Sequence, residues 1–175
     1  MRVYLLVILH ILFLASNADA GRVIEGVVKI VYDGDTVQLL TRSNSRLKMR
    51  LYGIDAPEIR KPDKPGQSYA DRSKVVLKSK IMGRRVSAEV VDVDQYERAV
   101  AIVRYSGRDV NREMLEEGMA WAYRKYLQSP YESKYIDSEN RARLRRAGLW
   151  RDANPKAPWD FRHEVKRKKQ KRYWY

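Results

Sequence analysis

RVIEGVVKIVYDGDTVQLLTRSNSRLKMRL, residues 22–51, carries apolar–polar alternation interrupted twice by turn residues. Asp33-Gly34 stands between two alternating runs, the strongest short-range signal for a hairpin. Ser43-Asn44-Ser45 marks a second turn, after which Leu47, Met49 and Leu51 point one way and Arg46, Lys48 and Arg50 the other. A sheet that buries one face and wets the other is the direct consequence, because successive side chains of a strand leave on opposite sides.

Outward from this stretch, KPDKPG at 61–66 is a loop, and QSYADRSKVVLKSKIMG reads as a helix closed by Gly83. Two further strands follow, RRVSAEVVDV and RAVAIVRY, joined by DQYE. From Asp109 the period turns helical, first in DVNREMLEEG. SPYE at 129–132 then offers Ser at the N-cap, Pro at the first helical position and Glu at the third, which predicts a helix from there to Ala147, ended by Gly148. Five short strands interrupted by one helix and followed by two more form an α+β pattern, and a curved five-stranded barrel of the OB type with about three flanking helices accommodates it. The expected organisation is a signal peptide at 1–20, a barrel domain at 21–152 and a Pro-containing basic tail at 153–175.

The chain of 175 residues is 44% hydrophobic, sufficient for one packed core, and carries a formal net charge of +14. That charge predicts attraction to a polyanion, either nucleic acid or an anionic membrane surface. MRVYLLVILHILFLASNADA places one base before an apolar run and ends in Ala18-Asp19-Ala20, the form of an exported protein's cleavable leader. The run is shorter than the roughly 20 residues a membrane span needs, so the mature chain is expected to lack a stable anchor. No cysteine is present, which excludes disulfides, cysteine–zinc sites and a lipid anchor on an N-terminal cysteine. With only His10 and His163 available, any metal would rely on oxygen ligands, as calcium and similar hard cations do.

The acids gather where the strands end. Asp33 and Asp35 lie in the first hairpin turn, and Asp55 and Glu58 follow the third strand in RLYGIDAPEIR, residues 50–60. If the three strands are sheet neighbours, these ends converge. Carboxylates from two turns, with a main-chain carbonyl and water, form a calcium site, and their repulsion would itself call for a cation. Asp-Gly-Asp alone is equally the composition of a plain turn. Arg50 is on the polar face of its strand and Arg98 opens another strand. Two guanidinium groups beside a metal and a spare carboxylate can clamp a phosphodiester and aim a water at phosphorus.

DGDTV at 33–37, RLYGIDAPE at 50–58 and DQYERAVAIV at 94–103 resemble the staphylococcal nuclease (thermonuclease) family, and AWAYRKY at 120–126 and RAGLW at 146–150 resemble its exported bacterial members. The likeness spans about residues 24–150. It implies an OB barrel and calcium-dependent cleavage of DNA and RNA, leaving a 3′-phosphate and a 5′-hydroxyl. It further implies that Asp35 and Asp55 ligate Ca²⁺ together with the main-chain carbonyl of Ala56. Arg50 and Arg98 would bind the scissile phosphate and stabilise its transition state. Glu58 would act as general base or orient the attacking water. Trp121 and Tyr123 match positions where the family places aromatics around the nucleotide, and alternation puts both on one face; packing in the core is the other use of such residues. Asp33 is expected to support the turn. One departure is Glu97, where the family often has Gly: a Glu is expected to avoid the positive φ that Gly tolerates, and it adds negative charge near the substrate path.

Residues 166–172 hold six bases in seven positions, expected to form a flexible, solvated tail that adds salt-sensitive affinity for the phosphate backbone. A catalytically silent OB module that binds nucleic acid without cutting it is the main alternative, but all five of Asp35, Arg50, Asp55, Glu58 and Arg98 are present. A secreted cationic membrane-active protein fits less well, for want of a long amphipathic basic helix. Monomer is the expected state and the periplasm or the medium the expected location.

Overall fold

The computed structural model describes residues 22–171. The proposed leader at 1–20 lies outside them, and among the described residues no helix is long and apolar enough to cross a membrane. The strands are β1 (Val23–Val31), β2 (Thr36–Thr41), β3 (Arg46–Leu51), β4 (Ile54–Asp55), β5 (Arg85–Val93), β6 (Ala99–Tyr105), β7 (Arg108–Asp109) and β8 (Trp121–Ala122). The helices are α1 (Ala70–Ile81), α2 (Val110–Glu116), α3 (Glu132–Leu144) and α4 (Pro158–Lys171).

Strands β1, β2, β3, β5 and β6 make the barrel predicted from the alternation. They run in the order β3-β2-β1-β5-β6, and β3 closes the ring by pairing in parallel with β6 through Met49–Ala99, Arg50–Val100 and Leu51–Ala101. The register slips between Val28 and Ile30 and again between Val90 and Asp92, and such bulges bend a sheet enough to close it. Val28, Val37, Leu39, Met49, Leu51, Ala88 and Ile102 fill the interior, while Arg46 and Lys48 stand outside. Burial of the larger of these side chains stabilises the fold by about 1.5–3 kcal/mol each.

α1 buries Ala70, Ser73, Leu77 and Ile81, one face of a 3.6-residue period. α2 is capped by Asp109, whose carboxylate accepts the Arg112 N–H at 3.0 Å. Its Asn111 is wholly buried, accepting the Val103 N–H and donating to the carbonyls of Tyr52 and Ala101, all at 3.0 Å. One side chain thereby ties α2 to two parts of the barrel.

Four departures from expectation are informative. α3 starts at Glu132 after Tyr131, with no side-chain cap, so the Ser129/Glu132 capping box does not form. Its end is at Leu144: Ala147 N–H bonds to Ala142 O and Arg146 N–H to Arg143 O with Arg146 at φ 50°, a left-handed stop taken by arginine ahead of Gly148. Glu97 adopts φ 58°, the positive value expected to be avoided, so the turn keeps the shape that glycine would give it. Finally, where the sequence suggested a flexible tail, α4 is a fourth helix docked on the domain. Trp121, Ala142, Leu149, Trp150 and Ala157 form a second apolar cluster, with Trp159 packed against it, and this cluster seats α4.

Candidate active site

Strand register assembles the acids. Thr36 pairs with Arg50, so the turn residue Asp35 lies beside the end of β3, and Leu51 N–H bonds to Asp35 O at 2.8 Å. Gly34 lets the turn pass closely over α1, since a Cβ there would meet Ser73 Oγ at 1.9 Å and Ala56 Cβ at 2.7 Å. β4 is short but fixed, pairing Ile54 with Ala122 and Asp55 with Trp121 of β8. β8 in turn gives its Ala122 N–H to the buried Glu139 carboxylate of α3 at 3.0 Å.

Asp35 and Asp55 are 3% and 1% exposed, and one guanidinium bridges them: Arg50 Nη1 donates to Asp35 Oδ1 at 2.9 Å and Nη2 to Asp55 Oδ1 at 2.7 Å. Asp35 Oδ2 accepts the Ala56 N–H at 2.8 Å, and its Oδ1 also accepts the Thr36 hydroxyl at 2.9 Å. Burial raises the Asp55 carboxyl above the usual carboxylate value and the Asp35 charge adds to this, against the pull of Arg162 and Arg50. Asp33 caps the turn by accepting the Asp35 N–H at 3.0 Å; burial, then the Asp35 charge, pushes it up to about 7. For Arg50, burial works to lower the pKa, and the charges of Asp35 and Asp55 overcome it and raise it.

Glu58 follows on the same loop, its N–H held by Gln67 Oε1 at 2.9 Å while Gln67 Nε2 donates to Lys156 O at 3.1 Å. Arg162 of α4 links Glu58 to the acidic pair. Its Nη1 donates to Glu58 Oε1 at 2.7 Å and Asp55 Oδ1 at 3.1 Å, and its Nη2 to Asp55 Oδ2 at 2.8 Å. Asp35, Arg50, Asp55, Ala56 and Glu58 are thus brought together. Arg98 is not part of that network: its Nε and Nη2 hold Asp94 Oδ2 at 2.7 and 2.6 Å, and it lies 5.3 Å over the Tyr96 ring. Arg98 nevertheless directly precedes Ala99, the β6 partner of Met49, one residue from Arg50.

Trp121 is buried against Trp150 and Trp159, with ring centroids 4.4 and 5.7 Å away. Tyr123 stacks on Trp159 at 5.3 Å with an interplanar angle of 5°. Both therefore meet α4 at Trp159. Arg162 and Trp159 escaped the sequence reading, although Pro158 at a first helical position and Ala157, Phe161 and Val165 at intervals of four residues mark the helix.

Among the described residues no three His, Cys, Asp or Glu side chains converge on a single point. The donor set that fits a cation is the pair Asp35 and Asp55: two buried carboxylates close enough to share one guanidinium, with oxygen donors only, as hard cations require. Main-chain and water oxygens would supply the rest.

The whole is an α+β protein of the OB-barrel class with an acid-and-arginine centre where β2 begins and β3 ends. Residues 48–152 match the family described as staphylococcal nuclease homologue, and the chain belongs to that family. It is 37% identical to a protein of Haemophilus influenzae (strain ATCC 51907 / DSM 11121 / KW20 / Rd) named uncharacterized endonuclease, over 80% of this chain and 73% of that one. It is 34% identical to the micrococcal nuclease of Shigella flexneri, over 81% and 82% of the two chains. The same 34% identity holds with an uncharacterized endonuclease of Escherichia coli O157:H7, over 87% and 94%.

Proposed function

We propose that the chain is a calcium-dependent nuclease that hydrolyses phosphodiester bonds in DNA and RNA to 3′-phosphate and 5′-hydroxyl products. The observation that carries this reading is the bridging of two buried aspartates from separate turns by Arg50, with Glu58 on the adjoining loop. Asp35, Asp55 and the Ala56 carbonyl would hold Ca²⁺, which supplies neutralising charge at the phosphate.

The chain's own residues divide the remaining work. Arg50 spends three of its five N–H donors on Asp35, Asp55 and Ile54 O, which fixes the guanidinium and leaves two for phosphate oxygens. Arg98, released from Asp94, would reach the same phosphate from β6. Glu58 accepts a proton from the attacking water as its oxygen bonds to phosphorus, and the bond to the 5′-oxygen breaks, that oxygen taking a proton from solvent. The net charge of +14 draws the polyanion to this rim. Export, with the mature chain acting as a monomer on extracellular or periplasmic nucleic acid, belongs to the same reading.

Purified protein should degrade both DNA and RNA in Ca²⁺ and stop on chelation. Glu58→Gln should keep the fold and nucleic-acid binding while losing roughly a hundredfold to a thousandfold in kcat. Binding without any cleavage by the unmodified protein would overturn the assignment in favour of a silent OB module.

A further inference from the structure

Arg162 lies outside the span that matches the family, yet it makes the densest set of contacts to the acidic centre. Its fork takes both oxygens of Asp55, and its Nη1 is shared with Glu58. Asp55 Oδ1 also receives Arg50, so its two lone-pair directions are filled, and Oδ2 keeps one. A dication placed on Asp55 would stand within a few ångströms of the Arg162 charge, in a part of the site where burial leaves little water to screen it. Arg50 leaves Asp55 Oδ2 open, whereas Arg162 covers Oδ2 and the second direction of Oδ1, so Arg162 and a cation compete for the same oxygens.

The arginine is held in place from behind. Trp159, three residues earlier on α4, stacks on Tyr123 and meets Trp121 edge-on, Ala157 is buried, and Lys156 pairs with Glu164 while its carbonyl accepts Gln67, the residue that also holds Glu58. The Arg162 side chain is 38% exposed, so it can swing into solvent by rotamer changes without opening either apolar cluster.

We propose that Arg162 is an internal competitor for the cation at Asp55, so that α4 sets the calcium concentration at which the site becomes competent. Because this rests on Asp35 and Asp55 holding Ca²⁺, the test measures calcium binding rather than turnover. Calorimetric Ca²⁺ titrations would compare the unmodified protein with Arg162→Gln, with Trp159→Ala and with Lys166→Gln. Lys166 is an exposed base one turn further along α4, so the last variant controls for simple loss of charge.

The proposal expects Arg162→Gln to bind Ca²⁺ about tenfold or more tightly than the unmodified protein, within the range of ordinary coupling between sites. Trp159→Ala should shift the same way with Arg162 intact, and Lys166→Gln should change affinity by less than about twofold, as for a screened surface charge. Equal or weaker Ca²⁺ binding by Arg162→Gln, or a gain matched by Lys166→Gln, overturns the competition while leaving the calcium site standing. No Ca²⁺ binding by any of the four proteins overturns both. Should Arg162→Gln fail to fold, an unchanged affinity in Trp159→Ala overturns the proposal by itself.

Discussion

Arg50 bridges two aspartates, and a lysine cannot. A lysine keeps the charge, but its single amine cannot span Asp35 and Asp55 as the guanidinium does at 2.9 and 2.7 Å. Arg50→Lys should therefore lower kcat by about a hundredfold or more, checked by steady-state kinetics beside a melting curve that shows the fold intact. Arg98 has its own counter-charge. Burial acts to raise the Asp94 carboxyl, but the Arg98 side chain and the N–H groups of Arg98 and Tyr96 outweigh it and hold Asp94 below its ordinary 3.8. A carboxylate depressed in the folded state stabilises above its unfolded pKa and loses that contribution as pH falls. Asp94→Asn should thus melt below the unmodified protein at pH 7, with the gap closing as pH drops below about 4; a gap that stays constant with pH would contradict this role. Asp35 and Arg50 were legible in the sequence because they sit where the plainly alternating β2 begins and β3 ends, and Asp55 and Glu58 because they follow β3 within a few residues. Arg162 was not, because its partner Asp55 is 107 residues away and no local pattern encodes such a pair.

The strands and the ends of α1 and α2 were legible in the sequence, while the ends of α3 were not. Alternation in RLKMRL is enforced by burial on one side, and the observed register keeps Met49 and Leu51 inside. Caps, in contrast, are decided by where the chain must go next. Ser129 and Glu132 have the composition of a capping box, but Tyr131 precedes the first helical residue and packs edge-on against Tyr52 at 6.0 Å. Glu97 shows tertiary context overriding preference too, since the β5–β6 turn imposes φ 58° on a residue that resists it. The polar link from α2 into the barrel is the most exacting of these joints. Asn111→Ala would strip the buried Val103 N–H and the Tyr52 and Ala101 carbonyls of a partner. The expected cost is about 2–4 kcal/mol of stability, measured by urea unfolding. A loss below roughly 0.5 kcal/mol, the range of an ordinary surface substitution, would show that water replaces the side chain there.

Across the molecule, the barrel provides a rigid rim, the second apolar cluster holds α4 against it, and the excess of Lys and Arg supplies long-range attraction. The charge and its concentration at 166–172 were visible in the sequence, but the docked helix that carries the bases beyond Arg162 was not, its apolar positions being few among the surrounding bases. Lys166, Arg167 and Lys169 are exposed there. Replacing all three with Gln should reduce the slope of log affinity against log salt on duplex DNA by up to about 3, with cleavage retained. An unchanged slope would remove α4 from the nucleic-acid interface. The most direct measurement is the rate of phosphodiester cleavage against free Ca²⁺ for the unmodified protein and for Asp35→Asn. Saturable activation by Ca²⁺, with the variant needing about tenfold or more cation or failing to respond, is the predicted result, since ligand charge count sets calcium affinity. Full cleavage in chelator, or the same half-saturating Ca²⁺ in both proteins, would contradict the assignment of this acidic pair to the cation.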